Sequence, residues 1–541
     1  MRDAASTLAL LLARVIDGAE ARPGAEETDA ILSAAARFAR DRLAPLAAIS
    51  DREGCTLAGG RVRTAPGHGE VWRAFSDEGW TGLTAPPGAG GSGLPLALAA
   101  AVQEVTDAAD PAFGMLAINA RCATRLLERH GPAPVRAAWL PRLADGSWAA
   151  TICISEPQAG SDVGRIRARA EQGPDGTWRI TGEKCWISFG DHDLAARIGH
   201  FVLARPRGAP AGTRGLSLFL VPDTSDSGAR NGVETLRLEE KLGLHGSPTC
   251  TLAFEEAEAT PIGEAGRGLP TLFAMITAMR LGVAVQGAAV AQASAALAEG
   301  YARDRLQGGD PGAPPVPITA HAEVRRLLLT ARSRAEAVRL VALQAAAWVD
   351  AGDAGDTAAA ARAALLLPVA KALGAEAGFD NAHLAIQVLG GAGYVREWPA
   401  GRMLRDARVF SLYEGTTAMQ GLDLLLRRVP AGGGAVLRDT LSHLAPAPDL
   451  AAAVLDTAAA MAAAPPRARE AAAVPFLRLM GLAAADGLLR RAARLAGPLA
   501  PRYAALAGFH GAEAPARAAL LAARCHRADI DPAFDAAFAD H

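Results

Sequence analysis

The spacing of apolar residues changes twice along this chain, and each change marks a change of element type. From residue 1 to about 150, stretches such as TDAILSAAARFARDRLAPLAA place apolar side chains three and four apart among charged ones. That period covers one face of a helix, so the region is predicted helical, broken by Pro/Gly loops such as APPGAGGSGLP. From about 151 to 257 the runs shorten and become β-rich: TWRITGEKCWIS, HFVLARP, GLSLFLVP and TCTLAFEEAEA. In the last of these, Cys250, Leu252 and Phe254 alternate, as on one face of a half-buried strand. Several such strands between Gly/Pro turns predict a small sandwich or barrel.

Helical spacing returns at about 258. Leu272, Met275, Ile276 and Met279 share one side, continued by Val283 and Val290, which predicts a long bundle helix buried against several neighbours. The proline-rich GGDPGAPPVP ends it, further helices run to about 429, and PAGGGA forms a linker. Beyond it, FLRLMGLAAADGLLRRAARLAGPLA keeps helical spacing, which predicts a helical addition to the bundle and not a free tail. The pattern is therefore α+β: a helical domain 1–150, a β-domain 151–257, a helical bundle 258–430 and a helical C-terminal extension 431–541. A chain of 541 residues is too long for one core and suits roughly three to four domains.

Composition narrows what such a chain does. Half of it is apolar, yet no run approaches the roughly 18 residues needed to span a bilayer, so no membrane partner is expected. The N-terminal MRDAASTLALLLARVIDGAEAR carries a short apolar patch between Asp3 and Arg14 and reads as an amphipathic helix. It lacks the basic start and small-residue cleavage site of a signal peptide, and a cytoplasmic location is expected. Cys55, Cys122, Cys153, Cys185, Cys250 and Cys525 are scattered without a C-x-x-C pair, which suits a reducing compartment and argues against a metal site or disulfide framework. The formal charge of −2 gives no sign of nucleic-acid affinity. In 431–541, 11 arginines and no lysine stand against 10 acidic residues, a balance of +1, so the extension is not the basic surface a nucleic-acid binder needs. The glycine loop at 88–93 lacks the lysine of a P-loop and follows no convincing strand, so it is expected to be a plain connection.

Candidate chemistry gathers in a few motifs. RDARVFSLYEGTTAMQGLDLL, residues 405–425, sets Glu414 between an apolar run and a helix start. By itself this glutamate reads as a solvated loop residue, with Thr416 or Thr417 capping the helix. The β-region opens with ICISEPQAGSDVG and continues with GEKCWISFGDHDL, and the later helices carry YARDRLQ and QVLGGAGYVREWPAGRMLRDARVFSLYEGTT. Together these motifs resemble the acyl-CoA dehydrogenase family across most of residues 30 to 430. DREGCTLAGGRVRTAPG, GLHGSPTC, the insertion after RDRLQ and the extension are most similar to its 3-methylthiopropanoyl-CoA dehydrogenase-like branch.

The resemblance implies an N-terminal helical domain, a central β-barrel or sandwich and a C-terminal four-helix bundle. It also implies an FAD cofactor, an acyl-CoA substrate and an electron-transferring flavoprotein as partner. Removing hydrogen between the α and β carbons of a thioester needs a base and a hydride acceptor, and no side chain accepts a hydride. Glu414 matches the family's catalytic base. Ile152 and Ser155 match flavin-contacting positions, Trp186 the aromatic packed against the ring, and Ser188 the hydroxyl near N5. Trp186 alone reads also as a barrel-core residue. Arg305 matches a pyrophosphate-binding arginine, or is a solvated charge at a helix end. Gln387, Gly390 and Gly391 match the element that reaches the FAD of a neighbouring subunit, which implies a homodimer or homotetramer; a helix-ending Gly-Gly has the same appearance. Thr416 matches a further flavin contact. Ser161 matches a position near both cofactor and CoA, Arg280 and Gly415 positions near the substrate, and His321 a histidine beside FAD or a surface residue at a helix start.

Three departures stand out. Thr277 replaces the usual aspartate three residues before Arg280, Gly308 a common phenylalanine, and Ala418 a common glutamine. Other chemistries of the same fold are an acyl-CoA oxidase or a flavin monooxygenase, and, less in keeping with the charge count, a DNA-binding flavoprotein.

Overall fold

A computed structural model of the protein describes residues 2–18, 23–527 and 530–539. They divide into two units. Residues 37–94 and 109–279 form one, which holds every strand among the described residues; residues 1–36, 95–108 and 280–541 form the other, which is helical.

In the first unit the alternating segments become β1 (Trp148–Cys153), β2 (Arg169–Gln172), β3 (Trp178–Ser188), β4 (Arg197–Pro206), β5 (Ser217–Pro222), β6 (Val233–Leu238) and β7 (Thr249–Ile262). Pairing runs β4, β2, β3, β7, β5 and back to β4 through Phe201 opposite Leu220, so the sheet closes on itself as a small barrel. β1 lies parallel to β4 and β6 antiparallel to β7, both outside this ring. Cys250, Leu252 and Phe254 are buried together with Phe201, Leu203 and Phe219, as the alternation predicts. Leu272, Met275, Ile276 and Met279 join this same core. The apolar stripe is therefore real, but its first turns pack in the sheet unit and not in a helical bundle. The glycine loop is a plain connection: the N–H groups of Gly90, Gly91, Ser92 and Gly93 are all taken by carbonyls between Gly82 and Pro87, which leaves no cradle for phosphate.

Three histidines are buried in this unit, His68, His192 and His200. Burial lowers the pKa of His68 to about 4 and of His192 and His200 to about 3, with His68 adding repulsion at His192. The folded state thus refuses protons that the unfolded chain accepts at about pH 6.5. Stability from these sites is complete above that pH and is lost as pH falls towards the folded values. The urea midpoint should drop steadily on acidification from about pH 6.5 to about pH 4, and a flat midpoint would contradict the burial of three neutral imidazoles.

The helical unit is built on α1 (Leu96–Asp107), α2 (Gly268–Asp304, in this unit from Arg280), α3 (Ala322–Asp353) and α4 (Thr357–Leu389). After them come the short α5 (Thr417–Asp423) and, in the extension, α6 (Pro466–Leu495). Small residues set the spacing. Ala288, Ala291 and Ala295 of α2 meet Ala331, Ala335 and Val338 of α3 and Ala377 of α4. A Cβ placed on Gly287 would lie 2.0 Å from the Gly374 carbonyl oxygen, so α2 and α4 touch backbone to backbone. The N-terminal helix Arg2–Arg14 buries Ala5, Leu8, Leu11 and Leu12 on one face, as its amphipathic pattern predicts.

The extension is helical and packed. A Cβ on Gly421 of α5 would meet the Ala473 carbonyl of α6 at 2.7 Å. From the helix Ala500–His526, Tyr503 donates to buried Glu336 at 2.8 Å and Arg502 reaches it at 2.7 Å. Glu336 in turn holds Arg339, which forks onto Glu104 of α1. Buried charges need such complete partnering, and this network ties three segments of the unit together.

One expectation needs correction. Although no uninterrupted apolar run is long enough, α2, α4 and α6 each have a window long and apolar enough to cross a membrane by length and composition. Their alanines raise the average hydropathy between spaced charges, and those windows are 61%, 72% and 83% buried within the protein. Helix packing accounts for the apolar character.

Candidate active site

Glu414 sits in a turn whose backbone is unusual and firmly held. Its φ is +53°, a left-handed conformation that few side-chain-bearing residues adopt, and Gly415 follows at +89°. The buried amide of Gln420 donates to the Glu414 carbonyl at 3.0 Å and to the Gly415 carbonyl at 3.1 Å. Lys371 of α4, itself fully buried, donates to the Gly415 carbonyl at 2.8 Å. Thr416 is the N-cap of α5, accepting from the Met419 N–H at 3.4 Å. Thr416 therefore caps the helix, and its hydroxyl still has a proton to donate elsewhere.

The carboxylate is treated differently from the backbone that carries it. Among the described residues it makes no hydrogen bond and no ion pair, and the Glu414 N–H has no acceptor. Glu414 is half-buried, and the surrounding protein desolvates it enough to raise its pKa, against a downward pull from Lys371 and then Arg280. Arg280 belongs to this neighbourhood: it pairs at 3.0 Å with Asp423, and its guanidinium lies 3.9 Å from where a Gly415 Cβ would stand. Tyr413 donates to Gln286 of α2 at 2.5 Å, and burial drives its phenol well above the usual range. A restrained, desolvated carboxylate with an open head has the makings of a general base.

The sheet unit gathers a second set. Ile152 lies in β1 and Ser155 just beyond it, where the Ser155 carbonyl accepts from the Cys185 N–H at 2.9 Å. That bond sets Ser155 beside the stretch of β3 that carries Trp186 and Ser188. Trp186 is not a core residue: it is 61% exposed, has φ +63° and stands on a bulge where the β3–β7 register slips between Lys184 and Ile187. A bulge re-aims a side chain out of the sheet at a cost in strain. Beneath it, buried Lys184 donates to Glu156 at 2.8 Å and to the Ile154 carbonyl at 3.0 Å, while Glu156 also accepts from the Arg167 and Ala168 N–H groups. Burial pushes the Glu156 carboxyl up, but Lys184 and those bonds outweigh it and hold it below its ordinary value.

The remaining candidates lie in other segments of the chain. Ser161 is an exposed loop residue. Arg305 is exposed, bonded to Gln307 at 3.2 Å, and His321, at the N-terminal end of α3, meets the Gln307 carbonyl at 2.9 Å. Gly308 lies in the turn of the insertion, which Leu306 and Pro317 close by bridging. Gln387, Gly390 and Gly391 are exposed at the end of α4, and Gly390 does serve as its C-cap.

Sequence reading missed the residues that support the candidates in each unit: Lys371, Gln420 and Asp423 around the Glu414 turn, and the Lys184–Glu156 pair in the sheet unit. Lys371 left one trace, as the only charge between Arg362 and Glu376 in an apolar helix. Gln420 left none.

These surfaces suit a flavin dinucleotide. In the sheet unit the outward-aimed Trp186 indole offers a stacking face, and Ser155 and Ser188, near it along the strands, carry hydroxyl donors. At Gly390 and Gly391 nothing lies within 4 Å of a built Cβ, which leaves backbone that phosphates can approach.

Family models described as the acyl-CoA dehydrogenase N-terminal, middle and C-terminal domains match residues 25–147, 151–257 and 266–429. A 3-methylmercaptopropionyl-CoA dehydrogenase of Ruegeria pomeroyi is 37% identical over 489 residues, covering 84% of this chain and 83% of that protein. A broad-specificity linear acyl-CoA dehydrogenase, FadE5 of Mycobacterium tuberculosis, is 37% identical over 387 residues, 67% of this chain and 63% of that protein. Among solved structures, an acyl-CoA dehydrogenase complexed with FAD from Bacillus anthracis superposes with a TM-score of 0.77 at 20% identity, covering 92% of this chain and 88% of that one.

Proposed function

The chain belongs to the acyl-CoA dehydrogenase family, and we propose on that footing that it dehydrogenates an acyl-CoA thioester to the trans-2-enoyl-CoA with FAD. The observation that carries this reading is the Glu414 carboxylate, unpaired among the described residues at the head of a turn whose two carbonyls are locked. Bound FAD supplies the hydride acceptor that no side chain offers. Glu414 takes the α proton, and desolvation brings its basicity closer to the task. Its own N–H, without an acceptor among the described residues, is available to the thioester carbonyl, where it stabilises the negative charge that builds as the proton leaves. By the family's pattern, Ile152, Ser155, Trp186 and Ser188 of the sheet unit would contact the ring of the cofactor; in the helical unit Thr416 matches a further flavin contact and Arg305 a pyrophosphate-binding position. Ser161, Arg280 and Gly415 would serve the CoA thioester.

Gln387, Gly390 and Gly391 would serve the FAD of a second subunit, so the working assembly is a homodimer or homotetramer. Tyr394, Val395 and Trp398, exposed beside them, support a contact there. Light scattering should give a mass of at least two 55.5 kDa chains at full FAD occupancy, and a single-chain mass would contradict the shared site.

The acyl group of this reading is short or bears a thioether, electrons leave to an electron-transferring flavoprotein, and the protein works in the cytoplasm. Anaerobic mixing of the yellow holoprotein with straight-chain, branched and thioether acyl-CoAs should bleach the flavin, fastest with the short or thioether members. A flavin that none of them bleaches overturns the reading. Reoxidation faster with air than with electron-transferring flavoprotein would make the protein an oxidase or monooxygenase instead.

A further inference from the structure

Lys371 is a fully buried lysine with no carboxylate partner among the described residues. Such residues are rare, because an ammonium without a counter-ion loses its hydration for little return. Here its hydrogen bond goes to the Gly415 carbonyl, next to the base. We propose that Lys371 is a positioning residue for Glu414: its ammonium holds the turn through the Gly415 carbonyl and supplies the uncompensated positive charge that keeps the neighbouring carboxylate ionised.

The charges around the pair support this division of work. Arg280 also faces Glu414, but Asp423 lies against it at 3.0 Å, and Asp423 is shared in turn with Arg427 and Arg428. Glu376, five residues along α4, influences Lys371 but is held at 2.9 Å by Arg478 of α6. Asp107 of α1 acts on Tyr413, which hydrogen-bonds Gln286. Of the cations acting on Glu414, only Lys371 lacks an anion in contact among the described residues. It influences the carboxylate without ion-pair contact, so it biases the charge state and leaves the oxygens open. Burial lowers the pKa of Lys371 to about 8, against the opposing pull of Glu414, so the charge is mostly present at neutral pH.

The inference rests on Glu414 being the base, and three substitutions separate charge from hydrogen bonding. Lys371→Gln keeps a donor and removes the charge, Lys371→Arg keeps the charge, and Lys371→Met removes both. Each is loaded with FAD, and the single-turnover rate of anaerobic flavin reduction by an acyl-CoA that bleaches the wild type is followed against pH. The acid limb, where Glu414 becomes protonated, should move up by about one pH unit or more in the Gln and Met variants and stay near the wild-type position in Arg. The Met variant should also show a lower plateau rate. Should it fail to fold, the Gln and Arg profiles decide the matter. An acid limb that stays in place when the charge is gone overturns the role of Lys371 while leaving the dehydrogenase reading intact. A wild-type flavin that no acyl-CoA bleaches removes that reading and this inference with it.

Discussion

Glu414→Gln should fold, retain FAD and bind acyl-CoA, yet lose flavin reduction by at least 100- to 10,000-fold, the range general-base catalysis contributes. The amide is nearly the shape of the carboxylate, and the turn that presents it is fixed by groups the substitution leaves alone. Gln420 and Lys371 bind carbonyl oxygens of the main chain, and the Glu414 N–H remains. What disappears is the one function those bonds do not perform, acceptance of the α proton. Binding should therefore suffer much less than turnover, a split that an unfolded or cofactor-free variant would not show. Stopped-flow reduction beside an acyl-CoA titration of flavin absorbance reads both quantities.

Gly415→Ala should be the most damaging change that leaves every catalytic group in the sequence. At φ +89° an alanine is strained, by roughly 1–2 kcal/mol for a left-handed residue. Its Cβ would also stand 2.8 Å from the Gln420 amide nitrogen. The amide must retreat, and in doing so it releases the Glu414 carbonyl and leaves the Gly415 carbonyl to Lys371 alone, so the turn that sets the position of Glu414 loosens. Displacement of a catalytic group by about an ångström costs on the order of 100-fold. The variant should hold FAD and show a reduction rate lower by about that factor, with its melting temperature only a few degrees down. A rate equal to wild type would mean that the turn does not position the base.

Much of this was legible before the structure. Helix and strand periods are local properties, and Cys250, Leu252 and Phe254 announced a buried strand face that β7 displays. The Tyr-Glu-Gly-Thr motif likewise drew attention to Glu414 and Thr416. Sequence did not reveal which partner an apolar stripe meets. Leu272 and Met279 have the spacing of a bundle helix, yet they complete the core of the sheet unit, because packing partners are chosen by topology and not by period. Nor did it reveal that Trp186 leaves the sheet, since a bulge depends on the register of two strands distant in sequence. The supports of the active turn were hidden for the same reason. Lys371 reaches Gly415 across 44 residues, and an isolated lysine in an apolar helix gains meaning only when that approach is seen. Ala418 stands where a glutamine is common. Gln420 clasps its carbonyls from two positions further on.

The central claim is that Glu414 removes the α proton of a bound thioester, and hydrogen exchange reads that step alone. An acyl-CoA with an α-methylene and no hydrogen on its β carbon can give up a proton but no hydride. Incubated anaerobically in deuterium oxide with the FAD-loaded protein, it should gain α-deuterium, measured by mass spectrometry of the recovered thioester. The same incubation with Glu414→Gln should leave it at the background level of protein-free buffer. Equal deuterium uptake with the two proteins would contradict the claim and assign the base to another residue.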